Sequence, residues 1–192
     1  MNNYIVFDIE TIGNIRDLST MKITVVSIYR YETGEYQSFE EHELRGLWPI
    51  LEKCDGLIGY NSEHFDMPIL NRYYTGDLAL LPHMDMLVAI RDSLGKRLKL
   101  DDVAKATLNI QKSADGLIAM EWFKQGEIQK IKDYCEQDVK VTKELYEYGL
   151  TNKMLYYPNI TGEILPFQVD FNFPVNDEIE KTGGEMNLTL PI

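Results

Sequence analysis

Three short acidic clusters lie far apart along the chain, and their side chains are the ones that could do chemistry. The first holds Asp8 and Glu10, the second ends at Asp66, and the third pairs Tyr134 with Asp138. Carboxylates supply hard oxygen ligands, which favour Mg²⁺ or Mn²⁺ over softer transition metals. If the fold brings the four carboxylates together, the sequence predicts a two-metal site that cleaves phosphodiester bonds.

Each cluster also has a purely structural interpretation when it is taken alone. Asp8 and Glu10 could cap a helix or lie in a loop, although a carboxylate pair ending a buried strand is unfavourable unless it binds cations. Asp66 begins a predicted helix, where the helix dipole favours a negative charge without any function. Asp138 lies one turn after Tyr134 on an apolar helix face and could pair with a lysine or arginine. The three clusters therefore carry weight only together.

The composition predicts one domain and limits the classes of function. With 192 residues, 44% of them hydrophobic, the chain can bury one sizeable core. A formal net charge of −12 argues against a passive nucleic-acid binder, which normally carries a basic surface. Residues 91–112 are locally net positive, and they could form such a surface or an ordinary solvated face.

Cysteine usage and hydropathy bear on the location of the protein. Cys54 and Cys135 are the only cysteines, and their separation fits neither a metal site nor a disulfide framework. We therefore expect a reducing, cytoplasmic environment. No segment approaches the apolar length that is required to cross a bilayer, so we expect a soluble protein that does not act at a membrane.

The hydrophobic patterns predict how the first two clusters are positioned. Residues 4–7 form an apolar run before Asp8, which predicts a buried strand with carboxylates at its carboxyl end. Residues 23–31 and 36–39, joined by a turn, predict two strands that complete an antiparallel meander. A predicted helix over 43–53 then leads into a strand over 56–60, and a strand, a helix and a strand in succession predict parallel pairing.

The second half of the chain is predicted to be mostly helical. Asp66 starts a helix, a weak edge strand follows within 80–86, and helices continue from residue 87 with breaks at glycines. The last helix, over 127–149, has an apolar face that includes Tyr134 and Asp138. The core face of this helix therefore carries one carboxylate.

The C-terminal residues 151–192 differ in composition from the domain predicted for residues 1–150. They hold four of the seven prolines and are acidic. Alternating apolar residues over 167–173 predict an added edge strand or a packing arm, and from residue 176 we expect a flexible tail. A protein partner could bind through this extension.

Taken in this order, the three clusters resemble the DEDD superfamily of 3′–5′ exonucleases. Asp8-x-Glu10 resembles the first motif of that superfamily, residues 61–66 (NSEHFD) resemble the second, and Tyr134-x-x-x-Asp138 resembles the third. The tyrosine four residues before the last acid is typical of the DEDDy branch. The closest likeness is to the proofreading exonuclease domain of family B DNA polymerases and its small stand-alone relatives, over roughly residues 1–150.

The resemblance implies a fold, a set of ligands and a set of substrate contacts. The fold would be α/β and RNase H-like, with a central mixed five-stranded sheet flanked by helices. Two Mg²⁺ or Mn²⁺ ions would be held by four carboxylates: Asp8, Glu10, Asp66 and Asp138. Tyr134 would orient the attacking water, and the terminal nucleotide would be contacted by Thr11, Asn61 and Phe65. Asp85 also resembles a residue between the second and third motifs, with no ligand role implied.

The implied activity is the release of nucleoside monophosphates from the 3′ end of single-stranded nucleic acid. The alternatives are a catalytically silent RNase H-like module that binds a partner, and an endonuclease on the same fold. The sequence does not distinguish DNA from RNA as the substrate, because contacts to the 2′ position cannot be located from sequence.

Overall fold

The structure, a computed structural model, describes residues 3–110 and 117–173 and has one five-stranded sheet at its centre. The strands of this sheet are β1 (Tyr4–Ile12), β2 (Lys22–Arg30), β3 (Glu35–Glu40), β4 (Gly56–Gly59) and β5 (His83–Asp85). The α-helices are α1 (Trp48–Leu51), α2 (Asp66–Leu70), α3 (Met86–Leu94), α4 (Leu100–Leu108), α5 (Leu117–Lys124) and α6 (Ile128–Asn152). A second sheet contains β6 (Met154–Pro158) and β7 (Ile164–Gln168).

The strand order in the central sheet is β3-β2-β1-β4-β5. Strands β1, β2 and β3 pair antiparallel, whereas β4 runs parallel to β1 and β5 runs parallel to β4. The predicted mixed sheet of five strands flanked by helices is therefore confirmed. The helix predicted over 43–53 is divided into a 3₁₀ helix at Glu41–Gly46 and the short helix α1, which has Pro49 in its first turn.

The central strand β1 is buried on both faces, and its two faces contribute to two different cores. Ile5, Phe7 and Ile9 pack in the core that includes residues of α1 and α2. Val6, between them, packs in the core that includes Val139 and other residues of α6. Because successive side chains of a strand point to opposite faces, Asp8 and Glu10 lie on the same face as Val6, beneath α6.

Helix α6 is the longest helix and crosses the sheet over β1 and β2. It begins at Ile128, one residue after the predicted start of the range 127–149, continues to Asn152, and ends where Lys153 adopts the left-handed conformation. Its buried positions recur at helical spacing and include Tyr134 and Cys135. In the part of the chain that the structure describes, no helix has both the length and the apolarity needed to span a membrane.

The C-terminal extension forms a hairpin and then an arm that packs on α6. The strand predicted over 167–173 is instead found at Ile164–Gln168, where it pairs with β6 and not with the central sheet. Phe167, Val169 and Phe171 are nevertheless buried, as their alternation suggests. The pattern therefore reports alternating burial of side chains along the arm, but it carries no information about which strand pairs with it.

The arm fits closely against the domain because α6 has a glycine beneath it. A Cβ added to Gly149 would lie 2.4 Å from the ring of Phe171, so a larger residue there would displace the arm. Phe173 stacks on Tyr4 with ring centroids 4.3 Å apart. These phenylalanines contact their own chain, so they do not form the exposed surface that binding a partner through them would require. The expected flexible tail lies outside the described residues.

Candidate active site at the carboxyl edge of the sheet

The sheet topology brings the first two acidic clusters to one edge. Strand β1 pairs in parallel with β4, with Val6 opposite Ile58, so the residues after both positions emerge at the same edge. Asp8 and Glu10 follow on β1, and Asp66 follows on α2 after the loop that leaves β4. This edge is where open α/β sheets commonly bind their ligands.

A β-bulge lies beside the first cluster. The register between β1 and β2 shifts between Glu10 and Thr11, and the hydroxyl of Thr24 donates a hydrogen bond of 2.9 Å to the carbonyl of Glu10. Bulges bend a strand and re-aim its side chains, and they are frequent beside active sites. The bulge therefore ends the regular part of the strand directly after its two carboxylates.

Three of the four predicted metal ligands converge in one cluster. One carboxylate oxygen from each of Asp8, Glu10 and Asp138 lies within 4.8 Å of the other two. Asp66 is not in this group of three, but it lines the same pocket. Its Oδ1 accepts a hydrogen bond of 3.2 Å from the backbone N–H of Ile9, which holds this carboxylate against β1.

Burial and mutual repulsion raise the pKa values of two of these acids. The pKa of Asp8 lies well above its ordinary value, chiefly because of burial and then because of the charges of Asp66, Asp138 and Glu10. Burial also raises the pKa of Asp66 to about 7, although hydrogen bonds from backbone N–H groups oppose this change. The cluster thus concentrates negative charge at a place where ionised carboxylates are unfavourable.

This donor set fits hard divalent cations. Oxygen atoms of three carboxylates are close enough to share an ion, and Asp66 offers a further carboxylate in the same pocket. The charged side chains among the described residues of the pocket lining are these four acids. A bound cation would relieve the repulsion that raises the pKa of Asp8.

The pocket around the cluster, called the site pocket below, has a volume of about 550 Å³. Its lining includes all eight site residues predicted from the sequence: Asp8, Glu10, Thr11, Asn61, Phe65, Asp66, Tyr134 and Asp138. It also includes Ile15, Tyr60 and Met120, which the sequence did not single out. The side chain of Ile15 is 71% exposed, so an apolar group stands at the rim of an acidic pocket.

Tyr134 is held firmly although it lines the pocket. It is only 5% exposed, and the ring of Trp122 on α5 packs edge-on against it with centroids 6.1 Å apart. Tyrosine and aspartate four residues apart on a helix face the same way. The ring packing and the helix together fix the direction of the Tyr134 hydroxyl relative to Asp138.

The loop that carries Asn61 and Phe65 is organised by a residue without a predicted role. The carboxylate of Asp85 accepts hydrogen bonds from the backbone N–H groups of Asn61 (2.8 Å), Glu63 (2.9 Å) and Leu87 (2.9 Å). The last of these bonds caps α3, and the other two hold the loop, in which Asn61 adopts a positive φ of 64°. The position before a helix could have indicated the cap, but not the contact with the loop.

Cys135 is a second contributor that the sequence did not reveal, because its separation from Cys54 fits neither a metal site nor a disulfide framework. Its thiol is fully buried and donates to the carbonyl oxygen of Asp8 at 3.4 Å and to Asp8 Oδ2 at 3.5 Å. Burial raises the pKa of this thiol, so it remains a protonated donor. Ser27, which is opposite Asp8 in β2, bonds to Ser38 at 2.8 Å. The Cys135 thiol therefore supports the Asp8 carboxylate from the side of α6.

Comparison with a family model identifies the group to which the chain belongs. The model of the RNase H superfamily matches residues 5–149. The chain belongs to the RNase H superfamily. The match covers the central sheet and the helices α1 to α5, together with α6 as far as Gly149.

Two solved structures show the same fold at low sequence identity. This RNase H superfamily protein matches a product-bound exonuclease I with a TM-score of 0.55 at 13% identity, over 78% of this chain and 43% of that one. It matches Trypanosoma brucei RNase D with a TM-score of 0.55 at 12% identity, over 77% of this chain and 57% of that one. The chain thus spans about half the length of each. No curated protein sequence matches it.

These findings confirm the resemblance seen in the sequence at the level of the superfamily and its fold. One of the two similar structures is an exonuclease and the other is an RNase D. The fold of the chain is therefore that of RNase H-like nucleases, and the acidic cluster lies at the carboxyl edge of its sheet.

Proposed function

We propose that this protein is a metal-dependent 3′–5′ exonuclease that releases nucleoside monophosphates from the 3′ end of single-stranded DNA or RNA. The observation that carries the proposal is the convergence of Asp8, Glu10 and Asp138, whose carboxylate oxygens lie within 4.8 Å of one another. Asp66 and Tyr134 line the same pocket. A cytoplasmic location is part of the proposal.

The carboxylates would hold two Mg²⁺ or Mn²⁺ ions. Asp8, whose carboxyl group interacts electrostatically with Asp66, Asp138 and Glu10, is the best candidate for a shared ligand. The bound ions would supply activation of a water nucleophile and stabilisation of the leaving 3′ oxygen. The roles of the remaining groups follow from their positions in the pocket.

Tyr134 would orient the attacking water through a hydrogen bond to its hydroxyl. A phenol is too weak a base to be the main proton acceptor near neutral pH, so positioning suits it better than proton removal. The packing of Trp122 against Tyr134 supports this role, because a fixed hydroxyl orients a water without losing conformational entropy at each turnover.

Selectivity for a chain end would come from Glu10 together with the loop after β4. Glu10 would hydrogen-bond the terminal 3′ hydroxyl, a group that an internal nucleotide lacks. Asn61, Phe65 and Thr11 line the same pocket and would contact the sugar and base of the last nucleotide. A half-buried aromatic ring such as Phe65 can stack on any base, which suits an enzyme that removes every nucleotide in turn.

The direct test is digestion of matched single-stranded DNA and RNA labelled at the 5′ end, with Mg²⁺ or Mn²⁺ present. We expect a ladder of labelled products that shortens from the 3′ end, with nucleoside monophosphates as the released products. The Asp138→Asn variant should be inactive, whereas Asp133→Asn, an exposed acid on the same helix, should retain full activity. Absence of any digestion by the wild-type protein would refute the proposal.

Circular single-stranded DNA separates this proposal from its alternatives. An exonuclease needs an end and should leave the circle intact, whereas an endonuclease on the same fold would linearise it. A catalytically silent module would digest neither the linear nor the circular substrate, and Mn²⁺ would not stabilise it unless the acidic site still bound metal.

A further inference from the structure

The connection between α3 and α4 is strongly basic in an otherwise acidic protein. Residues 95–99, called the basic loop below, contain Lys96, Arg97 and Lys99, whereas the whole chain has a formal net charge of −12. The loop begins at Gly95, whose left-handed conformation ends α3, and it leads directly into α4. All three cationic side chains are exposed.

Two hydrogen bonds fasten the basic loop to the wall of the site pocket. The guanidinium of Arg97 donates to Oδ1 of Asn61. The hydroxyl of Tyr60 donates to the carbonyl of Leu98 at 3.0 Å. Tyr60 and Asn61 are consecutive residues that both line the pocket. The basic loop is therefore continuous with the site pocket on the side where the chain leaves β4.

Asp85 connects both ends of this arrangement. Its carboxylate caps α3, the helix that delivers the basic loop, and it also holds the N–H of Asn61, which receives Arg97. The position of the loop relative to the pocket is thus set by a connected group of hydrogen bonds that runs from the buried cap of α3 to the exposed guanidinium of Arg97. Such a preset arrangement lowers the entropy lost when a ligand binds.

Two cations of the basic loop are oriented by contacts of a different kind from the ion pair of Arg91. Arg91 forms an ion pair of 2.9 Å with Asp92, so its charge is already compensated. The ammonium of Lys96 lies 4.0 Å from the ring centroid of Tyr157 on β6, which directs it across the surface between the loop and the hairpin. Arg97 uses one arm of its guanidinium on Asn61 and has further N–H donors in the same plane.

We propose that the basic loop binds backbone phosphates of the substrate strand on the 5′ side of the scissile bond. The inference rests on the proposed function, and it names the substrate class as a single strand of several nucleotides, not a dinucleotide or a mononucleotide ester. Phosphate contacts from lysine and arginine fix the register of a strand without reading its sequence. The basic loop would thus attract the phosphates of the substrate strand, which the acidic remainder of the surface repels.

The test compares a ten-nucleotide single strand with the p-nitrophenyl ester of thymidine 5′-monophosphate, which has no upstream phosphates. The loop variant is Lys96→Ala, Arg97→Ala and Lys99→Ala combined. The matched control is Arg45→Ala, Lys53→Ala and Lys140→Ala, three exposed cations outside the loop and the pocket lining. The measured quantities are kcat/KM for both substrates and the salt dependence of KM for the oligonucleotide.

In the loop variant, we expect the ratio of kcat/KM for the oligonucleotide to kcat/KM for the ester to fall at least about tenfold. The fall should come from a higher KM for the oligonucleotide. Its plot of log KM against log salt should lose about two units of slope, at about 0.7 per phosphate contact on a single strand. The control should retain the preference and the slope. A second variant, Lys96→Glu with Lys99→Glu, leaves the bond between Arg97 and Asn61 in place. A lower preference for the oligonucleotide in this variant therefore cannot come from a disturbed pocket wall.

Different results would refute phosphate binding by the basic loop and the proposed exonuclease function. A loop variant that keeps the wild-type preference and salt slope would overturn the phosphate-binding surface alone. A wild-type protein that cleaves neither substrate would refute the proposed function and this surface with it. An equal loss of activity on both substrates would show that the loop only supports the pocket, and this outcome would also overturn the inference.

Discussion

Asp66 and Asp85 are both buried acids at the carboxyl edge of the sheet, with 4% and 6% of their surfaces exposed, yet their surroundings differ. Asp85 accepts hydrogen bonds from the backbone N–H groups of three residues, so its carboxylate is well satisfied. Asp66 faces a pocket of other carboxylates, and burial raises its pKa to about 7. Burial alone therefore does not distinguish these two acids, whereas their hydrogen-bond donors and their place in the pocket do.

The largest expected effect is on catalysis. Asp138→Asn keeps the size of the side chain but removes one charge from the cluster, so the ions that it would help to hold lose a ligand. We expect kcat to fall by at least about a thousand-fold, which corresponds to about 4 kcal/mol of transition-state stabilisation. The measurement is single-turnover digestion of a 5′-labelled oligonucleotide. Activity within tenfold of the wild type would contradict the proposed role of Asp138 as a metal ligand.

The second prediction concerns stability and gives different results for the two kinds of acid. Asp85→Ala leaves three backbone N–H groups without their acceptor, and we expect it to lower the free energy of unfolding by about 3 kcal/mol. Asp8→Ala removes a charge that its neighbours repel, so we expect no loss of stability in EDTA. Urea denaturation of both variants in EDTA makes the comparison, and a larger loss for Asp8→Ala would contradict it.

The third prediction uses pH to separate the cluster from the rest of the molecule. The pKa of Asp66 rises from 3.8 to about 7 on folding, so the folded state keeps this proton over a range in which the unfolded chain releases it. The contribution of Asp66 to stability is therefore greatest below pH 3.8 and falls as the pH rises towards 7. In EDTA, the Asp66→Asn variant should be less sensitive to pH across this range than the wild type.

Divalent ions should act in the opposite direction, because they compete with protons for the same oxygens. We expect Mn²⁺ to raise the melting temperature more at pH 8 than at pH 5, and to have little effect on a variant with both Asp8→Ala and Asp138→Asn. Thermal melts with a series of Mn²⁺ concentrations check this. An equal shift at both pH values would show that the ions bind elsewhere.

The smallest expected effect concerns the support of Asp8. Cys135→Ala removes the thiol donor to Asp8 Oδ2, and we expect kcat/KM to fall about threefold, since a thiol is a weak hydrogen-bond donor. Cys135→Ser should retain more of the activity because it keeps a donor of similar size. Cys54→Ala, at the only other cysteine, lies outside the pocket lining and serves as the control. Equal activity of all three variants would show that the hydrogen bond from Cys135 to Asp8 does not contribute to activity.

Several parts of the fold were predictable because they depend on local patterns. The apolar run before Asp8 begins a strand, the last helix has the predicted period, and a strand of three residues lies within the predicted range 80–86. The proximity of the eight proposed site residues was predictable for a related reason, since each motif is contiguous and the order of the motifs is itself informative. All eight predicted residues line one pocket.

The strand predicted over 167–173 failed for a physical reason. Alternating burial arises whenever an extended segment lies between a core and solvent, and here it continues to Phe171 after the hairpin strand ends at Gln168. Pairing depends on which backbone groups face the segment. For β7 these groups belong to β6, whose apolar and proline pattern did not predict a strand.

The sequence by itself determined the chemistry that is available, because residue types fix the ligands and motif spacing fixes the faces on which they lie. Only the tertiary structure decided which groups form hydrogen bonds with one another, as Asp85, Cys135 and Arg97 illustrate. Asp85 and Arg97 both bond to Asn61, which is 24 residues from Asp85 and 36 residues from Arg97. Cys135 bonds to Asp8, which is 127 residues away. Hydrogen bonds over such separations leave no local periodicity, since they depend on how the sheet and helices pack.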